Sequence, residues 1–247
     1  MTDHRDVRHA SRTTREIKFL LDASTADTVR RWARAHLTPD AYGGGPSRDE
    51  YTTSTLYFDT PAFDVYYRRG SFGRSKYRVR RYGASDVVFF ERKLRTSDLL
   101  VKRRTAGGID ELAMLSPDAT PASAWAARWF ERRLRRRGLQ PVCRVSYHRM
   151  ARVGATAHGP MRLTLDDHLT AAATAHIGFA GGTTTPVAPG QVILEFKYRG
   201  GIPAIFQALM TALSLTPQPV SKYRLAVAAL GCAPPVESHP VSSPERT

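Results

Sequence analysis

Between Ser75 and Arg104 the chain reads SKYRVRRYGASDVVFFERKLRTSDLLVKRR, and cations recur there at every second residue. Lys76, Arg78 and Arg80 alternate with Tyr77, Val79 and Arg81. Glu91 and Lys93 share one parity, and Lys102 and Arg104 share another. Residues two apart in a β-strand point to the same face. Read as three successive strands, the stretch gives one sheet face a dense row of positive charge. Such a face is costly to bury unless it meets a polyanion. The chemistry implied is the holding of phosphate oxygens.

Other segments add to the same face. Glu16 and Lys18 share a parity in REIKF, and Glu195 and Lys197 do so in VILEFKY. A Glu on a cationic face repels phosphate directly. It either ligates Mg²⁺ or Mn²⁺, which bridges to phosphate oxygens, or pairs with a neighbouring Lys or Arg. Tyr147 and Arg149 share a parity in RVSYHRM, as do Arg162, Thr164 and Asp166 in MRLTLDD. Asp166 and Asp167 stand where a strand end is expected and read as turn residues. The run Arg132–Gly138 closes a helical pattern, where cations suit the helix dipole and a solvated face. The histidines have no metal-ligand spacing, and the glycine pairs have no phosphate-cradle spacing.

Composition agrees with an anionic partner. The 247 residues carry 37 Lys and Arg against 22 Asp and Glu, a formal charge of +15, and 42% are hydrophobic. The chain is long enough for one large domain with a substantial core. Cys143 and Cys232 have no CxxC or zinc spacing and read as free thiols. The N-terminus lacks the apolar region of a signal peptide, and no apolar run nears the roughly 20 residues that span a bilayer. A cytoplasmic protein is expected, with a basic face able to dock on a membrane or a membrane partner.

Eight strands must position these residues: 14–21, 51–60, 75–82, 87–94, 99–105, 141–153, 161–170 and 191–198. Short turn-like pieces such as GASD and RTSD suggest hairpins. Helical patterns cover 24–37, with Ser24 as N-cap, then 62–69, 121–137, 202–213 and 221–230. The expected fold is α+β, a closed antiparallel β-barrel of about eight strands with helices packed outside. Residues 1–13 and 233–247 read as flexible tails around a single domain, 14–232.

In order, the segments REIKF, STLYFDTP, KYRVRRY, FFERK, VKRR, YHR, MRLTLD, LEFKY and SKYRL resemble the VTC domain. That is the catalytic domain of the vacuolar transporter chaperone complex and its bacterial relatives, within the triphosphate tunnel (CYTH-like) superfamily. The resemblance runs from Arg15 to Ala229. It implies a β tunnel with inward cations, and polyphosphate synthesis from ATP with Mn²⁺ or Mg²⁺. Carried over, Lys18, Arg78, Arg80, Lys93, Lys102, Tyr147, Arg149, Arg162 and Lys222 match tunnel residues of the family. Lys76 joins this binding set by its parity with Arg78. Glu195 matches the metal-binding glutamate. Two departures stand out. Pro219 occupies the place of a second lysine in the eukaryotic enzymes, and the superfamily's ExExK signature is reduced to Glu16 and Lys18.

On this reading Arg78, Arg80, Lys93, Arg149 and Arg162 act on the transferred phosphoryl group. Lys18, Lys76, Lys102, Tyr147 and Lys222 bind substrate, and Glu195 and Glu16 hold the metal. Phosphoryl transfer needs in-line positioning and charge neutralisation more than covalent help. The expected partners are ATP and inorganic polyphosphate, with a separate membrane protein for any translocation; nucleic acid is not expected. The rival readings are a tripolyphosphate or nucleoside triphosphatase of the same superfamily, and a non-catalytic module that binds polyphosphate or nucleic acid.

Overall fold

The computed structural model describes residues 7–11, 14–72, 75–95 and 100–235. Its strands are β1 (Val7–Ser11), β2 (Thr14–Asp22), β3 (Thr38–Pro39), β4 (Glu50–Asp59), β5 (Ser75–Tyr82), β6 (Val87–Arg95), β7 (Leu100–Gly108), β8 (Gln140–Thr156), β9 (Gly159–Ala173), β10 (Thr185–Pro186) and β11 (Gln191–Arg199). The helices are α1 (Ala23–His36), α2 (Asp64–Tyr67), α3 (Arg128–Arg136), α4 (Ala204–Ala212) and α5 (Lys222–Leu230). All eight expected strands are present. The sheet has eleven, because β1 and the two-residue β3 and β10 join them.

Every strand pairing is antiparallel, along the path β1-β7-β6-β5-β4-β8-β9-β11-β2, with β10 on β9 and β3 on β8. The β5–β6 hairpin turns at Gly83, whose φ of +54° suits a residue without a Cβ. Two expectations are corrected here. The sheet is not closed into a barrel by hydrogen bonds: among the described residues nothing pairs β1 with β2. Side chains span that gap instead, with Lys93 Nζ of β6 lying 2.9 Å from Glu16 Oε2 of β2. Val7–Ser11, inside the stretch read as a tail, is a strand paired with β7. Residues 236–247 of the expected C-terminal tail lie outside the described residues.

The period-2 pattern sorts the sheet into a dry outer face and a wet inner one. Outward residues such as Phe19, Val79, Phe90, Leu194 and Phe196 are buried under helices. One apolar cluster joins α1 and α4 to β2, β9 and β11, and a second joins α3 and α5 to β4, β5, β6 and β8. Burying such side chains contributes about 1.5–3 kcal/mol each. The second cluster also takes in Leu20, Tyr57, Val145 and Ile193, which face inward at one end of the sheet. There α5 lies against β8, β9 and β10, and its Tyr223 ring sits 5.1 Å from that of Tyr57. The bore is therefore stopped at that end.

Helix limits differ in two places. Asp22, rather than Ser24, caps α1: its carboxylate accepts from the Thr25 amide at 2.8 Å and from Ser24 Oγ at 2.6 Å. Helix α3 begins at Arg128, seven residues after Pro121, because the chain first turns so that the Trp125 indole donates to Glu111.

Candidate active site

Register alone sets the inner face. Across β5, β6 and β7, Lys76, Lys93 and Lys102 stand in one row, and Arg78, Glu91 and Arg104 stand in the next. Arg80 lies beside Thr55 of β4. On the far wall Lys18, Glu195 and Thr164 form a row, as do Glu16, Lys197 and Arg162. Arg149 of β8 faces Asp166 of β9. Tyr147 and Arg149 stand two apart on β8, opposite Thr53 and Tyr51, so both serve the bore, and the irregularity in the β8–β9 pairing falls between Ser146 and His148.

Three carboxylate nodes hold the cations in place. Lys18 Nζ lies 2.8 Å from Glu16 and 3.1 Å from Glu195, while Lys93 reaches Glu16 at 2.9 Å and Lys197 reaches Glu195 at 2.7 Å. Glu91, only 1% exposed, takes Arg78 at 2.7 Å, Lys102 at 2.8 Å and Arg104 at 2.7 Å. Asp166, fully buried, takes both nitrogens of the Arg149 fork at 2.6 and 2.8 Å and Lys222 at 2.6 Å. Arg162 pairs with Asp40 at 2.8 Å and donates to the Tyr51 hydroxyl at 2.7 Å.

Two cations have no carboxylate contact among the described residues. Arg80 is buried, and its Nε meets only the Thr55 hydroxyl, at 3.3 Å. Lys76 donates to Ser221 Oγ at 2.8 Å, at the mouth of α5. Lys18, Lys76, Arg78, Arg80, Lys93, Lys102, Arg104, Arg149, Arg162, Lys197 and Lys222 are eleven cations. Against them stand five carboxylates, those of Glu16, Asp40, Glu91, Asp166 and Glu195, leaving a formal excess of six when every lysine is protonated.

The titration behaviour follows. Burial and Glu195 push the Glu16 carboxyl up, but Lys18, Lys93 and Lys197 outweigh them and hold it at about 2. Burial likewise disfavours the Asp166 carboxylate, yet Arg149 and Lys222 hold it at about 2. Burial and the cations around them leave Lys76 at about 7; burial brings Lys102 down to about 8, against the pull of Glu91. Burial raises the Tyr82 hydroxyl, but Arg80 and Arg104 draw it down to about 7. Carboxylates pinned ionised beside under-protonated lysines mark a site short of negative charge.

All twelve residues picked from the sequence come together on this inner face or at its α5 end. Tyr147 is buried with its hydroxyl unpartnered, and the Lys222 ammonium lies 4.9 Å from the centroid of its ring. Asp166 is a correction: it lies within β9, where the ladder continues to Ala173, and it is a counter-ion of the site. Glu91, Arg104, Lys197 and Asp40 were not picked. Glu91 was visible through its shared parity with Lys93, whereas Asp40 comes from a loop that no strand pattern reaches. Both cysteines are free thiols.

A sequence profile of the family described as VTC domain matches residues 13–231. No curated protein matches the sequence. Among solved structures, a proposed adenylate cyclase from Bacillus halodurans shares the fold at a TM-score of 0.51 and 16% identity, with 83% of this chain and 92% of that chain covered. A Pyrococcus horikoshii protein aligns at 0.47 and 14% identity over 87% and 99% of the two chains. A proposed adenylyl cyclase from Hippeastrum, with a dominant triphosphatase activity, aligns at 0.45 and 16% identity over 92% and 100%.

Proposed function

Because the chain belongs to the VTC domain family, within the triphosphate tunnel (CYTH-like) superfamily, we propose that it is a polyphosphate polymerase acting on ATP. The superfamily binds nucleoside triphosphates and polyphosphates and uses divalent metals. The observation that carries the reading is the pair of inward cations without a carboxylate, Arg80 and Lys76, inside a bore with an excess of positive charge. A buried cation without a carboxylate partner is costly, and a bound anion relieves that cost.

The γ-phosphoryl group passes to a terminal oxygen of the acceptor chain. The bridge between the β and γ phosphorus atoms breaks, ADP leaves with the bridging oxygen, and a new phosphoanhydride bond forms. Arg78, Arg80, Lys93 and Lys102 grip the triphosphate, and Arg149, Arg162 and Lys18 complete the ring. Lys76, Tyr147 and Lys222 bind substrate at the α5 end. Glu91 and Asp166 position their arginine forks and leave other N–H groups free for phosphate. Among the described residues no group of three acidic, His or Cys ligands forms a metal cage. Glu16 and Glu195 would hold a divalent ion, since the Lys18 ammonium already sits as a cation between their carboxylates. When bound there, Mg²⁺ or Mn²⁺ would neutralise phosphate charge.

One observation favours the triphosphatase reading. The bore is stopped at its α5 end, which leaves less room for a second phosphate chain than for water. The test is incubation with ATP and Mn²⁺, with and without a short polyphosphate primer, followed by a polyphosphate-stained gel. A ladder made by wild type and lost in Arg78→Ala and Glu195→Gln supports the polymerase. Free phosphate without a ladder replaces it with the hydrolase.

A further inference from the structure

A second cluster of cations lies on the opposite, outer face of the same strands. Register sets Tyr77 beside Arg92 there, and Arg92 beside Arg103. Helix α3 packs over β6 and runs into the arginines at its C-terminal end. Arg133 lies in the last turn of that helix, and Arg137 is the residue that caps its C-terminal end. Three buried polar atoms at this place have no hydrogen-bond partner: Arg92 Nε, Arg137 Nη1 and the hydroxyl of Tyr77, a residue only 1% exposed. The one acidic residue of α3, Glu131, is taken by Arg135. No carboxylate pairs with Arg92, Arg133 or Arg137 among the described residues.

Aromatic rings lie against guanidinium groups here. Arg137 lies 4.7 Å from the Phe72 centroid, and Arg103 lies 4.2 Å from that of Trp129. Burial lowers the Arg92 pKa, Tyr77 opposes it, and the charges of Arg133 and Arg137 lower it further, so the three cations do act on one another. Guanidinium groups present donors only, in forks that match the oxygens of a phosphoryl group.

We propose that Arg92, Arg133, Arg137 and the Tyr77 hydroxyl form a second phosphate-binding site, on the outside of the sheet. Its ligand is a phosphoryl group, from a soluble oligophosphate or a phospholipid headgroup. Since β6 carries Glu91 and Lys93 inward and Arg92 outward, the two sites are back to back and separable by mutation.

The test is calorimetric titration of the full chain with tripolyphosphate, beside co-sedimentation with phosphatidic acid or phosphatidylcholine vesicles. Wild type should show two tripolyphosphate sites. The Arg133→Gln, Arg137→Gln pair should weaken one of them about tenfold, as loss of charge-assisted hydrogen bonds does. The Arg133→Lys, Arg137→Lys pair should partly restore it, and Tyr77→Phe should weaken it if the Gln pair does not fold. Phosphatidic acid binding lost in the Gln pair would assign the lipid source, and loss of the tripolyphosphate site alone the soluble one. If neither ligand responds to these variants, the site is overturned. Arg78→Ala removing the only site would overturn it while leaving the bore reading intact. Binding lost in the Gln pair but unchanged in Arg78→Ala would uphold it and sink the bore reading.

Discussion

Lys76 is the side chain whose charge is most open to change. Its pKa is about 7 against an ordinary 10.5, because burial and then Lys18, Lys93 and Arg78 disfavour the ammonium. Between those two values the unfolded chain holds a proton that the folded chain has released. The stability of the free protein therefore rises with pH across that window, and the penalty is fully present below about 7. A phosphate ligand reverses the preference and draws protons onto Lys76 and onto Lys102, which sits at about 8. Tripolyphosphate binding near pH 7.5 should take up protons, read as a difference in binding heat between two buffers of unlike ionisation enthalpy. Lys76→Gln should shrink that difference; equal heats in both buffers for wild type would show that these lysines are already charged. At this scale the cations were legible, because period-2 spacing puts Lys76, Arg78 and Arg80 on one face. Their counter-ions were less so, because a lone Asp after a strand pattern reads as a turn until pairing shows the strand running on, as at Asp166.

Asp166 also works between elements. Through Arg149 and Lys222 it ties β8, β9 and the first residue of α5 together. Asp166→Asn keeps the shape and removes the charge, leaving two buried cations short of a partner. Breaking such a group costs about 3–5 kcal/mol. The thermal unfolding midpoint of the variant should fall clearly below wild type, and saturating tripolyphosphate should narrow the gap by replacing the lost charge. A gap that stays constant with ligand would make Asp166 structural only. The strands were legible in their cores, since alternation is strong in 75–82 and 191–198. Three pieces escaped: β1 is too short and polar to show a pattern, Asp22 outbid Ser24 as a cap by accepting from both neighbours, and α3 lost its first turns to the Pro121 region. Closure of the sheet was beyond a pattern of alternation, which says which face a residue takes and not whether two edges meet.

For the molecule as a whole, the excess of charge in the bore is a standing strain that a polyanion relieves. A ligand at 100 times its dissociation constant adds about 2.7 kcal/mol. For a chain of this size each kcal/mol moves the midpoint by roughly 2–4 °C. Tripolyphosphate should therefore raise the unfolding midpoint by roughly 5–10 °C, measured by dye-based melting, and by much less in Arg78→Ala. An unmoved wild-type midpoint at saturating tripolyphosphate would count against the bore as a phosphate site. The unpaired edges of β1 and β2 carry one more consequence. β1 and β2 are separated by only two residues, so the chain itself joins the two edges, and among the described residues ion pairs such as Lys93–Glu16 bridge from one side of the line to the other. A polyphosphate in this bore is therefore held partly by a wall of ion pairs, which its own charge competes to open, rather than by an unbroken ladder of backbone hydrogen bonds.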